Sequence, residues 1–319
     1  KTMAIAGLSE VGRDFYGVFP LKGKVLNVKD ADVNKLASNT EITSIKKILG
    51  LKTGEVYNRN IKPWPLRYGK IIIMTDQDVD GTHIKGLVMN IFHSHWRSLL
   101  QMGFVTSLLT PIVKVSRKKK SESFYTLSDY EQWKKTKKSN EKWTIKYYKG
   151  LGTSTTKEAK EYFKDMKLVQ YDWDSQFSDN ALDLAFNKKR ADDRKEWLSG
   201  YNPDDVIDSN RKTVSFDEFI NKDLIHFSNY NVQRAIPSLV DGLKPSQRKV
   251  LYSCFKRNLT KEIRVAQLAG YVSEHSAYHH GEASLQDTII GLAQDFVGTN
   301  NINYLLPNGT FGSRLQGGK

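Results

Sequence analysis

A single cysteine, Cys254, occurs in 319 residues. It excludes an internal disulfide framework and any multi-cysteine zinc site, and a reducing compartment is the expectation. Glycine and proline are sparse, at 22 and 8 residues, which excludes collagen-like and Gly/Pro-rich disordered chains. No apolar run approaches the ~18 residues of a membrane span. The opening KTMAIAGLSEVGRDFYG carries no apolar signal-peptide core. The chain opens on Lys1-Thr2 rather than Met and is taken as a segment of a longer protein. Acidic residues are the minority, 35 against 49 basic, for a formal net charge of +14. Such a surface favours a polyanionic partner, because basic groups release counterions from nucleic acid. The length predicts about two domains and is enough to bury a core without covalent staples.

The charge is uneven. Residues 114–149 carry twelve basic and four acidic side chains, with Arg117-Lys-Lys-Lys120 placed like a solvated hairpin tip. FYTL and WTIKYY flank it as strands, with a short helix at 129–135 between them. Earlier, Lys70-Ile-Ile-Ile-Met74 is the continuous apolar run of a strand buried on both faces. After Gly81, apolar residues from Ile84 to Leu99 recur at three- and four-residue spacing, which predicts a helix. Strand-like stretches follow at 104–107 and 112–115, so the unit reads as α/β with a parallel sheet. Thr155 and Glu158 form a capping box for a helix reaching Met166. Residues 167–215 turn polar, with one amphipathic helix from Leu182 to Leu198, and read as a connecting segment. Helices are predicted at 216–227, 245–257, 263–274 and 282–297, with a strand-like end at 303–306. That pattern resembles a small helical DNA-binding domain.

The sharpest feature is Thr75-Asp-Gln-Asp-Val-Asp-Gly-Thr-His83. Three carboxylates at alternate positions stand at the carboxyl end of a buried strand, where open α/β sheets bind ligands. Their mutual repulsion favours a hard divalent cation with oxygen ligands. Four readings compete. A calcium loop of EF-hand type needs an acid at its twelfth position, where Leu87 stands. An acidic loop satisfied by backbone amides is the structural alternative. A Mg²⁺ phosphatase of haloacid dehalogenase type would use Asp78 as nucleophile, but Thr75-Asp76-Gln77 separate the strand from it. The fourth reading makes Asp76 and Asp78 metal ligands for phosphoryl transfer on nucleic acid. A DNA-binding module with a vestigial metal site is the remaining non-enzymatic alternative.

The text around the triplet resembles the TOPRIM segment of eukaryotic type II DNA topoisomerases. Ile73-Met-Thr-Asp-Gln-Asp-Val-Asp-Gly-Thr-His-Ile-Lys-Gly86 carries that likeness. Further segments match the same family in order: Tyr16-Gly-Val-Phe-Pro-Leu-Lys-Gly-Lys-Val-Leu-Asn27, Tyr147-Tyr-Lys-Gly-Leu-Gly-Thr-Ser154, Asp241-Gly-Leu-Lys-Pro-Ser-Gln-Arg-Lys249 and Tyr278-His-His-Gly-Glu282. The wording of 263–312 is nearest to fungal members.

The resemblance implies a TOPRIM α/β domain over 1–166, the connection at 167–215, and a winged-helix DNA-binding domain over 216–319. It implies part of the DNA cleavage–religation core of an ATP-dependent, homodimeric, nuclear enzyme that passes one duplex through another. It implies two Mg²⁺ positions, with Asp76 on both, Asp78 on the second and Asp80 in support. DNA contacts are implied for Lys24, Asn27, Lys188, Lys189, Lys244, Arg248, Tyr278, His279 and Ser284. The family's metal-binding Glu and its nucleophilic Tyr fall before Lys1 and after Lys319, so no catalytic residue is assigned within the chain. ATP is bound only by a domain outside these residues, no membrane partner is implied, and these residues alone are expected not to cleave DNA.

Overall fold

The computed structural model describes residues 2–118, 120–136, 142–148, 150–278, 280–296, 302–312 and 315. The chain divides into two units, Lys1–Asn229 and Tyr230–Lys319.

The first unit begins with three helices, α1 (Thr2–Val11), α2 (Val33–Ser38) and α3 (Thr40–Leu49). Asn39 starts α3 by accepting the Ile42 N–H, and Gly50 ends it in the left-handed region. The predicted strand and helix follow as β1 (Ile71–Ile73) and α4 (Val79–His95), then α5 (Arg97–Gln101) and β2 (Val105–Leu108). β2 lies parallel to β1, with Ile71 opposite Val105. Helix α4 is buried on nearly every side from Gly81 to His93. Met89, Ile91 and Phe92 are fully inaccessible, so α4 is the central helix of the unit.

A lobe follows: β3 (Val113–Arg117), β4 (Lys120–Phe124), α6 (Leu127–Lys135) and β5 (Thr144–Tyr147). Its strands form a separate antiparallel sheet in the order β4-β3-β5. Val113, Val115, Phe124 and Tyr130 form its own small core, with Trp133 and Trp143 against it. Helix α7 (Thr156–Lys164) carries the predicted Thr155–Glu158 capping box.

The chain then returns as β6 (Leu168–Asp172), α8 (Ser175–Phe186), α9 (Ala191–Ser199) and β7 (Thr213–Ser215). The main sheet has the order β1-β2-β6-β7. It is mixed rather than parallel: β6 is antiparallel to β2 and parallel to β7. The reason lies in the closure of the lobe. Leu108, where β2 ends, faces Leu168, where β6 begins, so β6 can only run back along β2.

The stretch read as a connection therefore supplies two strands and two helices to the first unit. Tyr171, Leu182, Phe186 and Val214 join its core. Its polar texture comes from β6 alternating buried Val169 and Tyr171 with exposed Gln170 and Asp172. The next helical run, α10 (Phe216–Phe219), a π-helical turn (Ile220–Leu224) and α11 (Ile225–Ala235), buries Phe216, Phe219, Ile220, Leu224 and Phe227 in the same core. The division between units thus falls at 229/230 within α11, not at 215/216.

The second unit holds α12 (Pro245–Lys256), α13 (Val265–His275) and α14 (Glu282–Ala293). They pack through Val250, Leu268, Ala269, Val272, Leu285, Ile289 and Leu292. Residues 303–306 form no strand among the described residues. The N–H groups of Tyr304 and Leu305 instead donate to the Leu292 carbonyl, satisfying an acceptor that the end of α14 leaves open.

Candidate metal and nucleic-acid site

The acidic loop runs from the end of β1 into α4, and each carboxylate is held differently. Asp78 is the N-cap of α4, its Oδ1 accepting the Gly81 N–H at 2.7 Å. Asp76 Oδ1 accepts the backbone N–H of Leu151, 75 residues away, at 2.6 Å. Asp80, in the first turn of α4, pairs with Lys24, Nζ to Oδ1 2.7 Å. The Lys24 ammonium also lies 4.6 Å from the Phe227 ring centroid, and His83 stacks on that ring at 3.9 Å.

Two glycines permit this packing. A Cβ on Gly81 would lie 2.0 Å from the Asp76 carbonyl oxygen. A Cβ on Gly150 would lie 2.8 Å from the Asp76 carboxylate. Both distances are far inside van der Waals contact, so only glycine lets these backbones approach.

Among the described residues, no group of three or more His, Cys, Asp or Glu side chains converges as a metal centre. The cause is the three separate engagements just described. Among the same residues, Oδ2 of Asp76 and of Asp78 receives no protein donor. Two such carboxylate oxygens, on two half-buried residues, are a donor set that suits a hard cation such as Mg²⁺.

The basic residues gather around two places. Loop 24–29 is fastened to the segment 183–190. Asn27 Nδ2 donates to the Phe186 carbonyl at 2.9 Å, and Asn27 Oδ1 accepts from Asn90 Nδ2 at 2.8 Å. Lys29 pairs with Asp183 at 2.7 Å. Burial disfavours the charge of Asp183, but hydrogen bonds from Lys29 and Asn187 outweigh it and lower its pKa. The predicted helix 182–198 breaks at Asn187, which is extended and accepts the Lys189 N–H. Lys188 and Lys189 thereby occupy a short turn, exposed and without a carboxylate partner among the described residues. Arg190 is fixed by Asp193 and Asn180, and Arg194 donates to the carbonyls of Leu184 and Asn187.

In the second unit, Lys244 is the N-cap residue of α12, and its N–H donates to Gln247 Oε1. Arg248 engages Asp241 through two nitrogens at 2.8 and 3.0 Å. That guanidinium, with the Leu243 N–H, holds the Asp241 carboxyl below its ordinary pKa. Tyr278 is buried in the core of the unit. Ser284 is exposed in the first turn of α14. Lys244 and Gln247 face Asp287 and Thr288 of α14 across a cleft of about 450 Å³. His279 lies outside the described residues.

Comparison with known proteins gives this geometry a context. Residues 1–106 match the family "Toprim domain" and 108–232 the "C-terminal associated domain of TOPRIM". Residues 234–319 match the family of the A-type subunit of DNA gyrase/topoisomerase IV. Over its whole length the chain is 54% identical to human DNA topoisomerase 2-alpha and to Plasmodium falciparum DNA topoisomerase 2. Its homologues over the whole chain are eukaryotic type II DNA topoisomerases. The chain covers 22% and 23% of those two relatives. The crystal structure of the Plasmodium falciparum topoisomerase II DNA-binding, cleavage and re-ligation domain superposes with a TM-score of 0.84 at 54% identity. That match covers all of this chain and 44% of the other. Within a type II topoisomerase family, the α/β unit followed by a helical unit is the expected fold, Mg²⁺ use is consistent, and the phosphatase alternative finds no support.

Some residues of the site were missed by reading the sequence. Lys85 is buried in α4, 3.4 Å from Asp223 in the π-helical turn, and Thr82 Oγ1 donates to the same carboxylate at 3.0 Å. Burial works against the Lys85 charge, but Asp223 and Tyr171 outweigh it and raise its pKa. A lysine inside a run that becomes wholly buried is a signal of a hidden acid. Its partner, 138 residues on, had no local signature. The Leu151 N–H was invisible, since a backbone donor leaves no trace in composition.

Proposed function

We propose that this chain is the Mg²⁺- and duplex-binding part of the DNA cleavage–religation core of a type II DNA topoisomerase. The observation that carries the reading is the pair Asp76 and Asp78. Each has one oxygen fixed by a backbone N–H and one open, beside a loop whose glycines admit close approach.

Asp76 and Asp78 would hold Mg²⁺, Asp76 at both of two positions and Asp78 at the second, with Asp80 in support. A bound Mg²⁺ supplies charge neutralisation at phosphate oxygens. The protein's own contribution is orientation. Leu151 N–H fixes the rotamer of Asp76, and the start of α4 fixes Asp78, so neither carboxylate needs to reorganise. Lys24, Lys188, Lys189 and Lys244 would bind duplex phosphates, which sets register without reading sequence. Asn27 and Arg248 would act through the loops that present Lys24 and Lys244, since both are hydrogen-bonded within the protein. Ser284 offers a hydroxyl at a helix start, where phosphate is favoured, and Tyr278 and His279 complete the group. For the whole protein, the family supports a homodimer in the nucleus that couples ATP hydrolysis to passage of one duplex through another.

Fluorescence anisotropy with a labelled duplex tests this proposal. The 319-residue chain should bind duplex DNA, with affinity falling steeply as salt rises, and Mg²⁺ should increase retention in the wild type but not in Asp76→Ala. Duplex binding indifferent both to Mg²⁺ and to Asp76→Ala would favour a binding module with a vestigial metal site.

A further inference from the structure

The lobe built on β3, β4 and β5 contains two like-charge pairs facing each other across strands. Lys114 of β3 lies opposite Lys146 of β5, and Arg117 of β3 lies opposite Lys120 of β4. Directly opposed like charges destabilise a sheet. The fold treats the two pairs differently. Lys114 binds Glu161 at 2.9 Å and Lys146 binds Glu158 at 2.8 Å, both acids coming from α7. Burial disfavours the Lys114 charge, yet Glu161 outweighs it and raises the Lys114 pKa.

The other end is provided for differently. Lys118, Lys120 and Lys142 have no carboxylate partner among the described residues. Glu122 of β4 accepts a hydrogen bond from Trp133 Nε1 at 2.9 Å. Lys118 also holds a left-handed backbone, φ 55°, where Gly or Asn is the unstrained choice. A charged side chain thus sits at a turn position that disfavours it, next to two opposed cations.

These groups surround an open cleft of about 540 Å³, lined by Ser116, Arg117, Lys118, Lys142 and Thr144. Among the described residues the lining contains three cations, two hydroxyls and no carboxylate. Ser116 and Thr144 are cross-strand neighbours, so their hydroxyls stand side by side. The Arg117 guanidinium lies 5.9 Å from the Trp143 ring centroid, an arrangement that holds the fork in place. Phosphate recognition uses this donor set: point charges from lysine, a planar fork from arginine, and hydroxyls.

We propose that this end of the lobe is a docking face for the phosphate backbone of duplex DNA, beyond the contacts assigned above. The proposal rests on the reading of the chain as a duplex-binding protein. Charge complementarity selects the occupant: a run of phosphates offsets the mutual repulsion of Lys118, Lys120 and Lys142 beside Arg117. With no base edge to read, the face adds affinity that is independent of sequence.

The test is the salt dependence of binding to a 40-base-pair duplex, followed by anisotropy with the 319-residue chain. Loss of two phosphate contacts in Lys118→Gln/Lys142→Gln lowers the magnitude of the log K against log salt slope by about 2. A charge-matched control, Lys35→Gln/Lys47→Gln on α2 and α3, leaves the slope unchanged. Both variants keep the wild-type thermal unfolding profile, since all four side chains are exposed. Wild-type binding with an unchanged slope in Lys118→Gln/Lys142→Gln overturns this inference alone. An equal fall in the control overturns it too, because net charge then explains the effect. A variant that loses calorimetric binding of inorganic tripolyphosphate while keeping its duplex slope makes the face a small-polyanion site, not a duplex one. A wild-type chain without duplex affinity contradicts the proposed function itself and this inference with it.

Discussion

Lys24 Nζ lies 2.7 Å from Asp80 Oδ1, so a lysine assigned to DNA neutralises a carboxylate assigned to the metal site. The two assignments meet in one ion pair. The Lys24 side chain is 39% exposed and that of Asp80 21%. At this exposure the pair contributes little to stability, and its consequence is for ligand binding. A cation beside the acidic loop opposes a second cation there.

Lys24→Met should therefore strengthen binding of a divalent cation by about 3- to 10-fold, the scale of one unit charge at partly solvated distance. The same variant should weaken duplex binding and lower the salt slope by about 1. Isothermal titration with Mn²⁺ and anisotropy with a duplex measure the two effects on one sample. Weakening of both would show that Lys24 organises the loop rather than competing with the cation.

Gly150→Ala should abolish the Asp76 geometry with little loss of global stability. Its Cβ would lie 2.8 Å from the Asp76 carboxylate, and relief requires moving either that carboxylate or the loop carrying the Leu151 N–H. Divalent-cation affinity should fall at least ~10-fold, the scale of losing an outer-shell partner, while the urea midpoint moves only slightly. Unchanged metal affinity would show that the loop yields instead of Asp76.

Asp223→Ala should destabilise the first unit by about 3–5 kcal/mol, because it leaves the buried Lys85 ammonium without its partner. Lys85→Met/Asp223→Ala should recover much of that loss by removing the stranded charge. Urea unfolding of the two variants measures both values. Equal destabilisation in the two would mean that the Thr82 hydrogen bond to Asp223, not the charge pair, holds the turn.

Acid stability should depend on Glu158. Burial works against its charge, but Lys146, Tyr148 and Thr155 hydrogen-bond to it and bring its pKa from 4.5 to about 2. A carboxyl depressed in the folded state binds fewer protons there than when unfolded. Its contribution is therefore complete above about pH 4.5 and is lost as pH falls toward 2. Thermal unfolding from pH 6 to 2 should fall less steeply for Glu158→Gln than for the wild type, from a lower starting point. Parallel profiles would remove Glu158 from the account.

Much of the fold was legible because its signals were local. Three consecutive isoleucines marked β1, the Thr155–Glu158 box marked α7, and Pro245 marked α12. The sheet direction was not legible, since it depends on Leu108 meeting Leu168 across the whole length of the lobe. Nor was the reach of the first unit: β6 and β7 are short and half polar, and they look like connection until their partners are known. The alternate spacing of Asp76 and Asp78 after an apolar strand was visible in the sequence. The engagements of Asn27, Arg248 and Lys24 were not, because Phe186, Asp241 and Asp80 become their neighbours only on folding.

In the proposed site, Asp76 and Asp78 hold a divalent cation, with Asp80 in a supporting place. Mn²⁺ titration followed by electron paramagnetic resonance tests this most directly, on the 319-residue chain and on Asp76→Asn, Asp78→Asn and Asp80→Asn. The substitutions keep side-chain shape and remove one charge each. Asp76→Asn should lose the bound-Mn²⁺ signal, Asp78→Asn should weaken it strongly, and Asp80→Asn should retain most of it. Equal signals in the wild type and Asp76→Asn would mean that Asp76 is not a metal ligand.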